Sequence, residues 1–427
     1  MQYLSDLVLP CALAAVALIL LVPACTNLWW MMHAWRTPET HAEIARGRTG
    51  SASPAGFSVI VPFRHEEEAV VRSTVERLLA QTYSWIEVVL SVGHDDPTAV
   101  DIAHRLSTLD PKRTVVSVDH SPVKNKPRQL NTALRSCVGD YVVIFDAESQ
   151  AHPELLAHVD GLLAETDCDV LQSGVQLINH RTSWYSLRNC MEYFFWFRSR
   201  LHLHARHGFI PLGGNTVFLR RSLLVEVGGW DENALTEDCE LGVRLSSNGV
   251  RVAVTYDPRL ATREECPDTV TALVRQRSRW NQGFLQVLAK GDWKKLPTLG
   301  QRLLARFTLL QPYFLAMTFA AFPLAIVASL WLTAPLPITM ITFLPLVPTL
   351  GSVLFECAAL REFGRELVLP VGPRDYARLV VSTIPYQVLL GYAAGRAMLR
   401  QLRGRDEWEK TPHAGHHLAP ALAGASA

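Results

Sequence analysis

The sequence predicts an α/β domain with a mostly parallel sheet, accompanied by hydrophobic helices that cross a membrane. Two observations predict this class. From residue 57 onward, short apolar runs alternate with amphipathic stretches, and long apolar segments lie on either side of that region. Such a strand–helix succession is typical of a parallel sheet whose faces are covered by helices.

The alternating region contains four predicted strands and three predicted helices. The strands cover residues 57–63, 86–92, 114–118 and 141–145, and the helices cover 67–79, 98–106 and 128–134. In sheets of this kind, ligands bind at the carboxyl ends of the strands. The polar residues directly after each strand are therefore the first candidates for a functional site.

The first hydrophobic segment, residues 7–32, carries no charge and is long enough to cross a hydrocarbon core of ~30 Å. No Lys or Arg precedes it, which argues against a signal peptide. Arg36, Arg46 and Arg48 follow it. The positive-inside rule therefore predicts an external N-terminus and a cytoplasmic location for the region that follows.

Residues 311–332 and 336–360 are predicted to form a membrane hairpin with Pro335 at its turn, and residues 379–399 are a third candidate. The tail after Pro412 is rich in Ala, His and Gly and is expected to be disordered. Three spans after the domain would place the tail outside. The basic residues before the tail favour a cytoplasmic location for it instead. They are Arg396, Arg400, Arg403 and Arg405.

The charge balance indicates no nucleic-acid partner, because Lys plus Arg is 41 and Asp plus Glu is 40, for a net charge of +1. Residues 271–310 are strongly basic and contain one acid, Asp292. This suits phosphates or anionic membrane lipids, although a solvated helical face gives the same pattern. The 8 cysteines show no CxxC or Cys/His spacing, so free thiols are expected and a structural zinc site is not.

Acidic residues follow three of the predicted strands. The first strand ends in PFRHEE (62–67) and the second in GHDD (93–96). An acidic side chain at such a strand end can accept hydrogen bonds from the base or the ribose of a nucleotide. Alternatively, it complements the macrodipole at the N-terminus of a helix. Asp146 and Glu148, two positions apart after a strand, suit a hard cation such as Mg²⁺ or Mn²⁺ that bridges diphosphate oxygens. A solvated Asp-x-Glu pair is the alternative.

Thr236, Glu237 and Asp238 open an amphipathic stretch. Thr236 suits the N-cap position, and acids in a first helical turn are often purely structural. A transfer to a hydroxyl group, however, needs a carboxylate that removes the proton, and Asp238 is the candidate base.

The string Gln276-Arg277-Ser278-Arg279-Trp280 is the most specific one in the chain. On a helix, Gln276, Arg279 and Trp280 share one face. Arginine there can neutralise a diphosphate, and tryptophan can provide an apolar floor for a sugar ring. A basic interfacial helix with a membrane-surface tryptophan is the alternative.

Taken in order, these motifs resemble family 2 glycosyltransferases, in particular the cellulose-synthase-like and hyaluronan-synthase-like membrane branch. The matching segments lie within residues 57–283 and are VPFRHEE, GHDDPT, KNKPRQLNTAL, FDAES, PLGGNTVFLRR, VGGWDENALTEDCELGVRL and RQRSRW. The resemblance implies a GT-A fold, a Rossmann-like nucleotide-sugar-binding domain, on the cytoplasmic side of the plasma (inner) membrane of a multi-pass protein.

The resemblance implies roles for individual residues. It assigns the metal to Asp146 and Glu148, where Glu replaces the second Asp of the family's Asp-x-Asp motif. It assigns catalysis to Asp238, Glu237 and Arg279. Donor or acceptor binding would fall on Pro62, Glu66, Asp95, Asp96, Lys126, Asp146, Gln276, Arg277, Arg279 and Trp280. PFRHEE and GHDD depart from the family's usual strings, which puts the contacts to the nucleotide base in doubt.

The implied activity is an inverting, metal-dependent hexosyl transfer from a nucleotide sugar, with UDP as the commonest carrier, to a growing β-linked polysaccharide. A lipid acceptor, either a glycolipid precursor such as ceramide or diacylglycerol or a polyprenyl phosphate, is the alternative. A non-catalytic membrane scaffold is a third. Aromatic residues at 184–197 suit an interface helix near an acceptor entry path, or core packing.

The expected organisation has five parts. They are an N-terminal transmembrane helix (1–36), a linker (37–56), the GT-A domain with interfacial helices (57–292), interfacial and transmembrane helices (293–400) and a tail (401–427).

Overall fold

The computed structural model of the protein describes residues 2–33, 40–45, 54–332, 334–405, 407 and 409. Two helices come first, α1 (Gln2–His33) and α2 (Thr40–Ala45). The α/β part follows, as β1 (Phe57–Pro62), α3 (Glu68–Leu79), β2 (Ile86–Gly93), α4 (Pro97–Ser107), β3 (Thr114–Asp119), α5 (Lys126–Leu134), β4 (Tyr141–Ile144), α6 (Leu155–Thr166), β5 (Val170–Gln172), β6 (Val175–Leu177), α7 (Ser186–Phe195), α8 (Leu201–Arg206), β7 (Val217–Arg220), α9 (Arg221–Glu226), α10 (Glu237–Ser247), β8 (Val252–Val254) and β9 (Thr262–Glu264).

Seven further α-helices complete the described chain, and a 3₁₀ turn, Asp292–Lys295, separates the first two of them. The α-helices are α11 (Val270–Lys290), α12 (Leu299–Leu309), α13 (Gln311–Trp331), α14 (Leu336–Phe343), α15 (Leu346–Glu366), α16 (Pro373–Val381) and α17 (Thr383–Leu402). Within the α/β part, a π-helical turn, Trp196–Arg200, joins α7 to α8.

The centre of the α/β part is a seven-stranded sheet with the order β3-β2-β1-β4-β7-β5-β8. β1 pairs in parallel with β2 and β4, and β2 with β3, whereas β7 runs antiparallel between β4 and β5. All residues of β1 from Phe57 to Val61 are buried, as a sheet covered on both faces requires. The predicted α/β class with a mostly parallel sheet is confirmed.

The predicted elements of the first half agree with the structure to within a residue or two. The largest shift is in α5, which begins at Lys126 rather than at residue 128. It begins early because Asn125 Oδ1 accepts a hydrogen bond from the Arg128 N–H at 3.1 Å and Pro127 fits the first turn. This cap places Lys126 at the start of a helix, facing the residues after β4.

Three helical segments are long and apolar enough to cross a membrane. They are Leu7–His33, Gln311–Trp331 and Leu336–Glu366, with mean hydropathies of 2.7, 2.0 and 1.9. α1 packs against α13, α14 and α15, so the three segments form one bundle. The helices predicted for the first span and for the hairpin are therefore both present, and the second leg of the hairpin divides into α14 and α15 before Leu346.

The third candidate span, residues 379–399, is not a single helix. α16 ends at Val381, and α17 then packs along α11 and α13. At Gly391 a side chain is excluded, because a Cβ there would lie 2.5 Å from the Cβ of Phe319. Ser278 Oγ on α11 donates to the Ala393 carbonyl at 3.1 Å. α17 therefore lies against the helix that carries the QRSRW string.

The start of the tail is attached to the same helix. Glu409 pairs with Arg396 at 2.6 Å and with Arg400 at 2.8 Å, and Gln282 Nε2 on α11 donates to the Arg405 carbonyl at 2.8 Å. These contacts hold the described start of the tail against α11 and α17. With three crossings, the tail and the α/β part would lie on one side of the bundle, as the basic residues predict, and this side stays a prediction. The disordered tail predicted after Pro412 lies outside the described residues.

Other predictions about the N-terminal region fall partly on residues that the structure does not describe. Arg36, Arg46 and Arg48, the basis of the positive-inside prediction, lie outside the described residues, as do 37–39 and 46–53 of the expected linker. The short helix α2 lies within that expected linker.

Cysteines introduced at Ala334 and Arg403 should react from opposite sides of the membrane. Ala334 lies in the turn between α13 and α14, and exposed Arg403 follows α17. In sealed vesicles of one orientation, a membrane-impermeant maleimide should label Arg403→Cys together with Asp101→Cys, on the exposed side of α4, and spare Ala334→Cys. The wild-type chain is the blank. Labelling of positions 101 and 403 from different sides would contradict the arrangement with three crossings.

Candidate active site

Lys126 links the residues after β4 to the first turn of α10. Its ammonium nitrogen lies 2.8 Å from Asp146 Oδ1 and 3.5 Å from Glu237 Oε1. Burial works against the charged form, but Asp146 and Glu237 together raise the pKa of Lys126 above its ordinary value. Lys126 therefore stays protonated and holds the two carboxylates at one place.

Glu148 shares this negative cluster and is only 6% exposed. Burial, then the Asp146 and Glu66 carboxylates, raise the pKa of Glu148 to about 8. A divalent cation bound by Asp146 and Glu148 would lower this raised pKa, because its positive charge favours the ionised form of both carboxylates. The donor set therefore fits the predicted Mg²⁺ or Mn²⁺.

Asp146 and Glu148 by themselves would leave a bound metal ion with most of its coordination positions unfilled. In the described part of the chain, no group of three or more His, Cys, Asp or Glu side chains is positioned to hold a metal ion. Asp146 and Glu148 would thus need further oxygens from water or from a substrate. Mg²⁺ sites on phosphate substrates are built in this way, with one or two carboxylates and several other oxygens.

Asp238 lies half-buried on the same cavity wall. Its Oδ1 accepts a hydrogen bond from the Cys239 N–H at 2.7 Å. Burial, then the adjacent Glu237 carboxylate, raise the pKa of Asp238 to about 7, against the opposing effects of Lys126 and Arg279. A carboxylate with this pKa is suited to exchange a proton near neutral pH.

A glycine pair passes over this carboxylate. A Cβ at Gly214 would lie 3.0 Å from Asp238 Oδ2 and 3.9 Å from the Lys126 nitrogen, so any larger residue would crowd both groups. The Gly213 N–H donates to Gln172 Oε1 at 2.9 Å, which fixes the loop to the end of β5. The loop before β7 therefore covers the site without filling it.

The turn before α10 is held by α11. Thr236 occupies the predicted N-cap position, but its hydroxyl makes no capping hydrogen bond. The reason is its contact with Gly283 on α11, where a Cβ would lie 2.2 Å from Thr236 Oγ1. Gln286, also on α11, accepts a hydrogen bond from the Leu235 N–H at 3.0 Å. The position of Asp238 thus depends on the helix that carries the QRSRW string.

The residues of the QRSRW string do reach the cavity: Gln276, Arg277, Arg279 and Trp280 all line it. Gln276 Oε1 is buried and accepts no hydrogen bond within the described residues, so a ligand hydroxyl or amide could use it. Arg279 acts electrostatically on Asp238. Trp280 lies beside Tyr193, with ring centroids 6.4 Å apart.

Arg277 also has a structural role. It donates to Asn189 Oδ1 and Glu192 Oε2, each at 2.5 Å, and stacks on the Trp280 ring at 4.6 Å. The Tyr386 hydroxyl on α17 donates to the same Glu192 oxygen at 2.8 Å. Arg277 therefore connects α11 to α7 and α17 and fixes the orientation of Trp280.

The two acids after β2 are placed differently from the rest. Asp96 caps α4, with Oδ1 accepting from the Ala99 N–H at 3.1 Å and Oδ2 from the His65 N–H at 2.7 Å. Asp95 pairs with Arg64. Pro62, Arg64 and Glu66 line the cavity with the catalytic candidates, whereas neither Asp95 nor Asp96 is among its described lining residues. Their assignment to the nucleotide stays a prediction.

Several polar residues at the site were not predicted from the sequence. Asn215 Nδ2 donates to Ser149 Oγ at 2.7 Å and to Glu264, which is 8% exposed. Glu192 pairs with Arg277. Asn215 lies in the PLGGNTVFLRR segment and Glu192 in the aromatic segment, so the motifs were visible, but only the fold brings these side chains together.

The candidate residues other than Asp95 and Asp96 lie on one cavity of about 920 Å³ that extends between the apolar helices. At one end it is lined by Asp146, Glu148 and Asp238. At the other end it is lined by residues of α1, α13 and α15, including Ala17, Leu20, Ala24, Phe314, Thr349 and Ser352. Tyr193, Trp196 and Phe197 line it between these ends, so the predicted aromatic segment both packs in the core and borders the cavity.

A comparison with protein-family models finds that "Glycosyltransferase like family 2" matches residues 54–283, more than half of the chain. Among solved structures, the mannosyltransferase of Pyrobaculum calidifontis in complex with GDP-Man and Mn²⁺ superposes with a TM-score of 0.57 at 18% identity, over 92% of this chain and 99% of that one. At this identity the likeness shows the fold alone, and it confirms the GT-A prediction.

Two curated relatives have named products. The β-monoglucosyldiacylglycerol synthase of Synechocystis is 25% identical over 88% of this chain and 79% of its own length. The poly-β-1,6-N-acetyl-D-glucosamine synthase of Staphylococcus aureus is 24% identical over 55% of this chain and 56% of its own length. The chain thus spans about half the length of the second, and likewise 56% of a probable glycosyltransferase of Bacillus subtilis.

Gly283→Ala should displace the turn before α10 and lower activity. The added methyl group would meet Thr236, whose backbone precedes Asp238. A displacement near 1 Å at reacting groups costs on the order of 10²-fold in rate, and overpacking costs roughly 1–3 kcal/mol in stability. Turnover and thermal unfolding of the purified protein measure both effects. Gly300→Ala on α12, with open space around it, is the matched control and should be neutral in activity. Equal turnover in both variants would contradict the proposed contact.

Proposed function

The chain belongs to glycosyltransferase family 2, and from that membership we propose that it transfers a sugar from a nucleotide-sugar donor to a membrane lipid. The observation that carries the choice of acceptor is the single cavity that joins Asp238 to the apolar helices α1, α13 and α15. A lipid could place its chains between these helices while its polar group reaches the carboxylate. Burial of apolar chains contributes about 25 cal/mol per Å² to binding of this kind.

The extent of similarity also supports a lipid acceptor. The match to the glucosyldiacylglycerol synthase covers 88% of this chain and so extends beyond the α/β part into the helices that line the cavity. The match to the polysaccharide-forming relative covers 55% of this chain. Three candidate spans, within the described residues, also leave few helices from which to build a polymer channel.

In the proposed reaction, Asp238 accepts the proton of the acceptor hydroxyl as that oxygen attacks C1 of the donor sugar. Its raised pKa, about 7, supports this role. Glu237 keeps Lys126 beside Asp146: the Lys126 nitrogen lies 3.5 Å from Glu237 Oε1 and 2.8 Å from Asp146 Oδ1. A single displacement by this route inverts the anomeric centre.

The departing diphosphate is proposed to be held by positive groups of the cavity wall. Arg279 and Lys126 line the cavity and would neutralise the charge that develops as the bond breaks. Asp146 and Glu148 would hold Mg²⁺ or Mn²⁺, which supplies further neutralisation of the diphosphate. Gln276 and Trp280 would bound the sugar, the first by a hydrogen bond and the second by ring contact.

The donor is proposed to be a UDP-sugar, on the basis of resemblance to the family. Its base would lie at the ends of β1 and β2, near Pro62, Glu66, Asp95 and Asp96. The α/β part would lie in the cytoplasm and the helices in the plasma (inner) membrane. The three apolar segments support a multi-pass membrane protein.

A growing β-linked polysaccharide is the second candidate acceptor. The similarity to the poly-β-1,6-N-acetyl-D-glucosamine synthase, 24% identical over 247 residues, favours it. A non-catalytic scaffold is the third reading, and it is disfavoured because the chain carries Asp146, Glu148, Asp238 and Arg279 on one cavity.

A donor screen in proteoliposomes should give a single glycolipid rather than a ladder of oligomers. Labelled UDP-sugars are incubated with purified protein and membrane lipids, and the products are resolved by mass analysis. A ladder would support the polysaccharide instead, and absence of both transfer and donor hydrolysis would support the scaffold.

Ala24→Trp should lower lipid transfer by roughly tenfold while leaving donor hydrolysis unchanged, since it narrows the membrane part of the cavity. Ala15→Trp, on the exposed side of α1, is the matched control and should transfer as the wild type does. Equal transfer by both variants would argue against acceptor entry through this cavity.

The pH profile of kcat/KM should have an acidic limb near pH 7. The pKa of Asp238 is raised to about 7, so below that pH the carboxyl is protonated and cannot accept the acceptor proton. Asp238→Asn should lose on the order of 10²–10⁴-fold in turnover while still binding the donor. Donor binding by calorimetry is the control for folding. Near wild-type turnover of the Asn variant would remove Asp238 from the base role.

A further inference from the structure

Arg200 is a cation on the cavity wall that forms no ion pair within the described residues; the Glu192 carboxylate acts on it from a distance and is itself paired with Arg277. It ends the π-helical turn Trp196–Arg200, and its guanidinium lies over two rings, 4.1 Å from the centre of Trp30 and 5.2 Å from that of Trp196. Its Nε is buried without a hydrogen-bond partner. Among described residues its guanidinium therefore contacts the faces of aromatic rings and the open cavity.

Two neighbouring arginines, unlike Arg200, form ion pairs with glutamates. Arg188 on α7 pairs with Glu356, and Arg198, two residues before Arg200, pairs with Glu362 and Glu366 at 2.6 Å. A desolvated charge is costly unless it is paired. Burial lowers the pKa of Arg200 to about 10, so the group still carries its charge at neutral pH. Glu192 acts on Arg200 without contacting it and is paired with Arg277, so an anionic ligand in the cavity would be the first direct counter-charge for Arg200 among the described residues.

Location restricts what that ligand is. Trp30 belongs to the end of α1, the first apolar segment, and Arg200, which lies over Trp30, lines the cavity that also contains Asp146, Glu148 and Asp238. An anion bound there would have apolar surface on one side and Asp238 on the other. The phosphate of a phospholipid has this arrangement, with acyl chains on one side and a headgroup on the other.

We propose that Arg200 binds the phosphate of the acceptor lipid, and that the acceptor is an anionic phospholipid whose headgroup carries a free hydroxyl. The acyl chains then lie between α1, α13 and α15, and the hydroxyl reaches Asp238. The sugar C1–O(diphosphate) bond breaks as the C1–O(headgroup) bond forms, the hydroxyl proton goes to Asp238, and the nucleoside diphosphate leaves. This inference rests on the proposed function, and it excludes neutral diacylglycerol as the preferred acceptor.

Binding can be measured apart from transfer. Calorimetric titration of the full-length protein in detergent with dihexanoyl-phosphatidylglycerol and with dihexanoylglycerol compares two ligands that differ in the phosphate-bearing headgroup. The phospholipid should bind at least about tenfold more tightly, because a charge-assisted hydrogen bond from Arg200 to the phosphate contributes a difference in affinity of this size. Arg200→Met should abolish this difference, and Arg200→Lys should retain part of it. Inorganic phosphate, which lacks the chains, should bind more weakly than the phospholipid.

Arg206→Met is the matched control, because Arg206 is an exposed arginine on α8 that does not line the cavity. It should bind both lipids as the wild type does. If Arg200 only clamps Trp30 to Trp196, Arg200→Met lowers the unfolding temperature but keeps the preference for the phospholipid, which overturns the proposal. Equal binding of both lipids by the wild type, or equal binding of inorganic phosphate, also overturns it.

Transfer assays then separate the two proposals. Proteoliposomes that contain phosphatidylglycerol should accept sugar about tenfold faster than those that contain diacylglycerol as the only hydroxyl lipid. Transfer to diacylglycerol alone would support the proposed function and overturn the role of Arg200. Formation of polymer, together with Arg200-dependent lipid binding, would overturn the proposed function and the acceptor role but leave the anion site in place.

Discussion

Lys126 is the constraint on which the rest of the site depends, since its ammonium joins Asp146 after β4 to Glu237 at the start of α10. Without this charge, Asp146, Glu148 and Glu237 would repel one another in a poorly solvated place. Removing one partner of such a buried group leaves the others uncompensated and costs several kcal/mol. Lys126 therefore holds Asp146 and Glu237 together and opposes the raised pKa of Glu148 and Asp238, and its own position depends on the cap that Asn125 gives to α5.

α11 connects this electrostatic centre to the membrane. Gly283 and Gln286 hold the turn that leads to Asp238, while Ser278 and Arg277 bind α17 and α7. A single helix thus contacts the turn before Asp238, the cavity and α17. Because protein interiors are close-packed, a displacement of α11 would also displace the turn that carries Asp238.

The cavity joins two chemically different surfaces of the protein. Polar chemistry lies at one end and apolar helices at the other, with aromatic residues of α7 and the π-helical turn between them. Arg200 lies at this junction against Trp30 and Trp196. Such a gradient from charged to apolar surface suits an amphipathic acceptor better than a uniformly polar sugar chain.

The fold class, the strands and helices of the first half, the apolar helices and the motifs that hold the candidate residues could all be predicted from the sequence. They could be predicted because burial patterns and helix caps depend on residues close together in the chain. How distant residues combine followed from the tertiary structure. It made Asp96 a helix cap, bound Arg277 to Glu192, turned residues 379–399 into a helix on α11, and left Arg200 facing a cavity. These outcomes depend on contacts between segments far apart in the chain, which no local pattern encodes.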